Sequence, residues 1–240
     1  MDANHRSDRP HRTPEVHPGT TGGLNVVRLD SSERAGRERS VSTAASAARR
    51  GDVILVPTES CYALASDAFS VRGVRSIRWA KGQMSQVPLP VMVPSVMTVG
   101  GIASGTSNEA RALMAACWPG ALTLLMRSQP TLDWDLPEGT PVAVRMPLHP
   151  VLLELLDRTG PLVVTAANAA GLQPPLTVDE ALEQLGEAWV VALDSGPIEP
   201  AELSTVVDVT GDVVVVRRCG GVSIDLLREI CPDLLDAASA

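Results

Sequence analysis

PVAVRMPLHPVLLELLDRTGPLVVTAAN, residues 141–168, decides the fold. Pro141–Met146 reads as a strand. Val151–Arg158 carries a helical pattern that stops at Gly160, and Leu162–Thr165 reads as another buried strand. The alternation extends both ways. Upstream, SSERAGRERSVSTAASAARRG (31–51) is a helix with basic residues near its end and Gly51 as its stop. Asp52–Pro57 follows as a buried strand, Val71–Ala80 as a helix, Leu89–Val93 as a strand, Ser107–Cys117 as a helix and Leu122–Met126 as a strand. Downstream come a helix (Val178–Leu185), a strand (Val190–Leu193) and the pair Thr205–Val209 and Val213–Val216. Thr210–Gly211–Asp212 between that pair is a hairpin signal, and a final helix starts near Ser223. Strands alternating with helices and ending in a hairpin predict one α/β domain with a mixed sheet.

Composition bounds the chemistry. The 240 residues are 45% hydrophobic, which suits one sizeable globular domain. Aromatic residues make up 2%, so the core is expected to rest on Val, Leu, Ile, Ala and Met, without a row of rings for single-stranded nucleic acid. A net charge of −8 repels a phosphate backbone at long range. Direct nucleic-acid binding therefore needs a local basic groove. Cys61, Cys117, Cys219 and Cys231 lack CxxC spacing and read as free thiols or small buried hydrophobes. There is no secretory signal and no run of eighteen apolar residues, so a cytoplasmic protein with no membrane segment is expected. Residues 1 to about 23 are rich in Pro, Gly, His, Asp and Arg and lack periodicity. The domain division is a disordered tail, 1–32, and a folded domain, 33–240. His5, His11 and His17 read as part of that solvated tail.

Polar groups collect where strands end. PTESCYAL (57–64) puts Thr58, Glu59, Ser60 and Tyr62 directly after a strand, and on its own reads as a polar turn. Lys81 ends a helix, where a cation also suits the dipole. CWPGALTLL (117–125) stops a helix and starts a strand containing Thr123. Arg145, Asn168, Ser204, Thr205, Arg217 and Arg218 each lie on or just after an apolar strand. Converging, they would supply cations for phosphates and hydrogen bonds for the rest of an adenylate.

In this order the segments resemble the YrdC-like family of threonylcarbamoyl-AMP synthases. That family shows a PTDTVYGL-like loop, KxR followed by NPL, then WPGPLT, AVRxPxHP, TSAN-G, STVVD and a terminal RPG. Here stand PTESCYAL (57–64), KGQ (81–83) with VPL (87–89), WPGALT (118–123) and AVRMPLHP (143–150). TAANAAG (165–171), STVVD (204–208) and RRCGG (217–221) complete the set. The match runs from about Gly51 to Val222. It implies a twisted open mixed sheet with flanking helices around a central cleft. It also implies an activity: threonine and bicarbonate form a carbamate, whose carboxylate attacks the α-phosphate of ATP and expels pyrophosphate. The adenylate is then the donor for modifying adenosine in transfer RNA, with Mg²⁺ assisting and tRNA-modification proteins as partners. By resemblance Lys81 and Arg145 are catalytic; Thr123, Thr165, Asn168 and Arg218 contact the nucleotide; Ser60, Arg145 and Ser204 face threonine; no metal ligand is assigned.

The departures fall in the active motifs. Gln83 replaces the Arg of KxR and removes a planar cation. Ala166 replaces the Ser of SAN, Val87 the Asn before PL, and Met92 a His frequent in the next strand. Glu59 and Ser60 replace Asp and Thr. Arg217, Arg78 and Gln83 itself are the residues that could compensate. Two functional readings follow: a synthase, with activity reduced or lost, or a paralogue that binds nucleotide or RNA without turnover.

Overall fold

The computed structural model describes residues 26–82, 88–129 and 139–236. Residues 1–25 of the tail with their histidines, Gln83 and Val87 lie outside the described residues. In chain order the strands are β1 (Val27–Asp30), β2 (Ile54–Pro57), β3 (Tyr62–Asp67), β4 (Val91–Met92), β5 (Ala103–Ser104), β6 (Leu122–Ser128), β7 (Pro141–Arg145), β8 (Leu162–Ala166), β9 (Val191–Asp194), β10 (Thr205–Asp208), β11 (Val215–Arg218) and β12 (Leu235–Asp236). The helices are α1 (Arg34–Arg49), α2 (Val71–Ala80), α3 (Asn108–Cys117), α4 (Pro150–Thr159), α5 (Val178–Leu185) and α6 (Ile224–Ile230), with a 3₁₀ turn at Val96–Gly101. Four helices begin where a hydroxyl caps them: Ser70, Ser107, Thr177 and Ser223 each accept from a backbone N–H of the first turn.

The strands form one mixed, twisted sheet ordered β1-β9-β2-β3-β8-β4-β7-β6-β10-β11-β12, with β5 paired to β6. Side chains alternate across it. On one face α1 and α4 press Val41, Ala44, Ala48, Leu152 and Leu155 onto Ile54, Val56, Ala63, Ala65, Met92 and Leu162. Alanines on α1 let it lie close to its neighbours. The opposite face carries Leu55, Leu64, Val91, Leu124, Val144 and Val163 under α2, α3, α5 and α6. No buried apolar residue of the first cluster comes from β6, β7, β10 or β11. That half-face is left for polar chemistry.

Val27–Asp30, assigned to the tail above, pairs in parallel with Val191–Asp194. Its residues are mostly exposed, as an edge strand's are, so hydrophobicity did not mark it. Tyr62–Asp67, read as the end of a polar turn, is a buried strand. Scarce aromatics still enter the core, since Trp189 and Tyr62 are among its largest buried side chains.

Tyr62 also ties β3 to the end of β9. Its hydroxyl lies 2.7 Å from the Gly196 carbonyl and 3.1 Å from Asp194 Oδ1, and it accepts from Ser195 N–H at 3.0 Å. Burial pushes the Asp194 carboxyl up, but donation from Gly196 N–H, Arg28 and Tyr62 outweighs it and holds the pKa below the ordinary aspartate range. A depressed folded pKa means that this stabilisation is present above the unfolded value and lost as the pH falls through the folded one. Asp194→Asn should therefore flatten the acid limb of stability against pH, read by urea unfolding between about pH 6 and pH 3.

Candidate functional site

The register of four strands builds a polar row. Val206 pairs with Thr123, and Leu124 with Val144, which sets Arg145 opposite Thr123. In β11, Val216 pairs with Val207, yet Val206 pairs with Arg218, so Arg217 is an extra residue in a β-bulge. Without the bulge Arg218 would share the face of Val216, which is core. The bulge turns it onto the uncovered face beside Thr123 and Arg145. Arg217 instead meets Asp208 at 2.8 Å, so it does not replace the missing cation.

Side-chain contacts lock the row. Thr123 Oγ1 and Ser204 Oγ share a hydrogen bond of 2.8 Å. Arg218 donates to the Ser204 carbonyl at 2.9 and 3.1 Å and to Ser204 Oγ at 3.2 Å. Arg145, buried, donates through Nε to the Gly120 carbonyl at 2.8 Å and through its terminal nitrogen to Glu59 Oε1. The same oxygen accepts from Leu148 N–H at 3.1 Å. Burial draws the Arg145 pKa down, the Glu59 charge opposes this, and the nearby Arg218 charge adds to the lowering.

Lys81 caps the C-terminus of α2 and is buried. Its ammonium donates to the carbonyls of Ala166 (2.6 Å) and Asn168 (2.9 Å) and to Asn168 Oδ1 (3.0 Å). All three acceptors are neutral, so its charge is not cancelled there. Burial lowers its pKa.

The turn 58–61 joins the two groups. Thr58 Oγ1 closes it, donating to the Cys61 carbonyl at 2.7 Å and accepting from the N–H groups of Ser60 and Cys61. Burial raises the Cys61 pKa, and the Lys81 charge opposes it; the same thiol is felt by Arg145. In strand register Arg145 belongs with Asp67, since Ser66, Val163, Val91 and Val144 are successive partners. Tyr62 is five residues from Asp67, about 17 Å along a flat strand. Glu59 nevertheless reaches Arg145. Twist accumulating over β3, β8, β4 and β7 lifts these diagonal corners towards each other, which makes the sheet concave here.

The Sua5/YciO/YrdC family profile, described as telomere recombination, matches residues 46–220. The chain belongs to that family. A Mycobacterium tuberculosis relative, whose provisional name is threonylcarbamoyl-AMP synthase, is 40% identical over 213 residues, 88% of this chain and 97% of its own. The human threonylcarbamoyl-AMP synthase is 31% identical over 232 residues, 90% of this chain and 82% of its own. The crystal structure of Pyrococcus abyssi Sua5 complexed with L-threonine superposes with a TM-score of 0.79 at 27% identity. The match covers 88% of this chain and 62% of the archaeal one.

Within this Sua5/YciO/YrdC chain the motifs divide by task. Gly120 offers its carbonyl to Arg145, and a Cβ there would lie 2.5 Å from the Cys117 carbonyl oxygen. A Cβ on Gly220 would lie 2.1 Å from the Leu203 carbonyl oxygen, so glycine is what lets the chain after Arg218 run against Ser204. Thr205, grouped above with Ser204, is structural: it bonds both backbone groups of Val222. Thr165 pairs with Leu64, and alternation gives its side chain the face of Val163 rather than that of the row. Ala166 serves Lys81 through its backbone, which the absent serine hydroxyl does not alter. Met92 packs into the α1–α4 cluster. Glu59 is the residue undervalued by motif reading; its cross-sheet partner was not visible in one segment.

No group of three or more His, Cys, Asp or Glu side chains with metal-ligand geometry exists among the described residues. Magnesium that keeps waters and phosphate oxygens needs no such cage. Among the described residues no helix is long and apolar enough to cross a membrane.

Proposed function

We propose that this protein makes threonylcarbamoyl adenylate from ATP, threonine and bicarbonate in the cytoplasm. The amine and bicarbonate give a carbamate and water. A carbamate oxygen then bonds to the α-phosphorus as the bond to the leaving pyrophosphate breaks. The observation that carries this is the pair Lys81 and Arg145 about one closed turn, with Arg218 near Arg145 and one carboxylate, Glu59, facing them. Such excess positive charge suits a polyphosphate. Lys81 and Arg218 would neutralise phosphate oxygens, with Asn168 and Thr123 on the nucleotide. Arg145, Ser60 and Ser204 would hold the amino acid. No covalent nucleophile enters, so rate comes from positioning and charge. Mg²⁺ arriving with the nucleotide would add to the charge neutralisation that Lys81 and Arg218 supply, and transfer RNA with its modification proteins would consume the adenylate.

Pyrophosphate release should require ATP, threonine and bicarbonate together, measured by a coupled phosphate assay. Release that ignores threonine or bicarbonate would sink the reading. ATP binding by calorimetry with no release would favour a nucleotide-binding paralogue instead, the reading that Ala166 motivates.

A further inference from the structure

Lys81 is the only lysine in the chain, and two of the three acceptors around its ammonium belong to Asn168. A side-chain amide can turn either its oxygen or its NH₂ towards a cation, and only the oxygen stabilises the charge. In Asn168 that choice is made from the far end of the amide. Its Nδ2 donates to the carbonyls of Leu172 (2.8 Å) and Ala169 (3.2 Å), which leaves Oδ1 for Lys81 at 3.0 Å. The direction of the Asn168 amide therefore depends on where the turn 169–172 places those two carbonyls.

Leu172 N–H closes that turn onto the Ala169 carbonyl at 3.1 Å, and α5 supports it from outside. Gln184 Oε1 accepts from Ala169 N–H at 3.0 Å, and Gln184 Nε2 donates to the Gln173 carbonyl at 3.1 Å. One side chain thus bridges the two ends of the turn. The helix that carries it is itself fixed. Thr177 caps α5, Glu180 accepts from Leu176 N–H at 2.7 Å, and Val178 and Ala181 are buried. We propose that Gln184 is a positioning residue, which acts through Asn168 to hold the Lys81 ammonium in place. What Lys81 does to a phosphate rests on the synthase reading; the path from α5 to its ammonium does not.

A single lysine makes the path measurable without any substrate. In protein produced with lysine labelled with ¹³C at Cε, Lys81 gives the one lysine signal, and its shift against pH follows the ammonium. Losing an acceptor disfavours the charged form, so Gln184→Met should move the midpoint to lower pH than in the parent. Cys61 is the titratable neighbour whose charge Lys81 feels. The difference should therefore persist with Cys61→Ala in both proteins; one that vanishes there belongs to the thiol and overturns the proposal. In an Asn168→Ala background Gln184→Met should shift nothing further, because the path is already cut. An unmoved midpoint in Gln184→Met, or a full additional shift on top of Asn168→Ala, overturns the proposal, whatever happens to stability. If the parent releases pyrophosphate, Gln184→Met should lower kcat/KM for ATP about tenfold and leave the KM for threonine within about twofold. Should the parent release none, the synthase reading falls alone, and the lysine signal still decides the role of Gln184.

Discussion

Arg145→Ala is expected to abolish threonine-dependent pyrophosphate release and to cost about 3–5 kcal/mol of folding stability. The guanidinium is held on both sides, by the Gly120 carbonyl and by Glu59. Removing it leaves the Glu59 carboxylate, largely enclosed, without its counter-charge, while Leu148 N–H alone still donates to it. The stability loss is thus mostly the cost of an orphaned anion. Glu59→Gln added to Arg145→Ala should recover about half of that loss, because a neutral amide is cheaper to bury. It should recover no activity, because the cation proposed to face the amino acid is still gone. Denaturant unfolding and the pyrophosphate assay separate the two effects. Arg145→Ala unfolding at the parent's midpoint would show that the ion pair contributes nothing to the cross-sheet link.

Lys81→Met should lower kcat/KM for ATP by about a thousandfold. Three acceptors converge on one ammonium at 2.6–3.0 Å, an arrangement matched to a compact charge. A planar guanidinium cannot serve these acceptors from the same point, so Lys81→Arg should restore less than about a tenth of the activity. Full rescue by arginine would mean that Lys81 supplies bulk charge rather than placement. Calorimetric titration with ATP then tells whether the loss lies in ground-state binding or in turnover.

The sequence was most legible where period and punctuation agree. The α2 and α5 limits were read as observed, because Ser70 and Thr177 cap helices with clear apolar faces. It was least legible at β1, whose apolar–polar alternation spans only four mostly exposed residues, and at β3, which was hidden behind the polar turn that feeds it. Motifs singled out Lys81, Arg145, Ser204 and Arg218 as candidates. They did not reveal that Glu59 bridges to Arg145, since that contact arises from twist summed over strands distant in the chain. Nor did they separate Arg217 from Arg218, two identical neighbours with opposite assignments. Spacing alone does not show a bulge.

That arginine doublet has a genetic consequence. Deleting either residue yields the same shortened chain, in which β11 runs without its extra residue and the surviving arginine falls opposite Val206. A guanidinium would still stand beside Ser204, and Asp208 would lose its mate. Length variation at this hairpin is therefore buffered, whereas changing the identity of Arg218 at constant length is not.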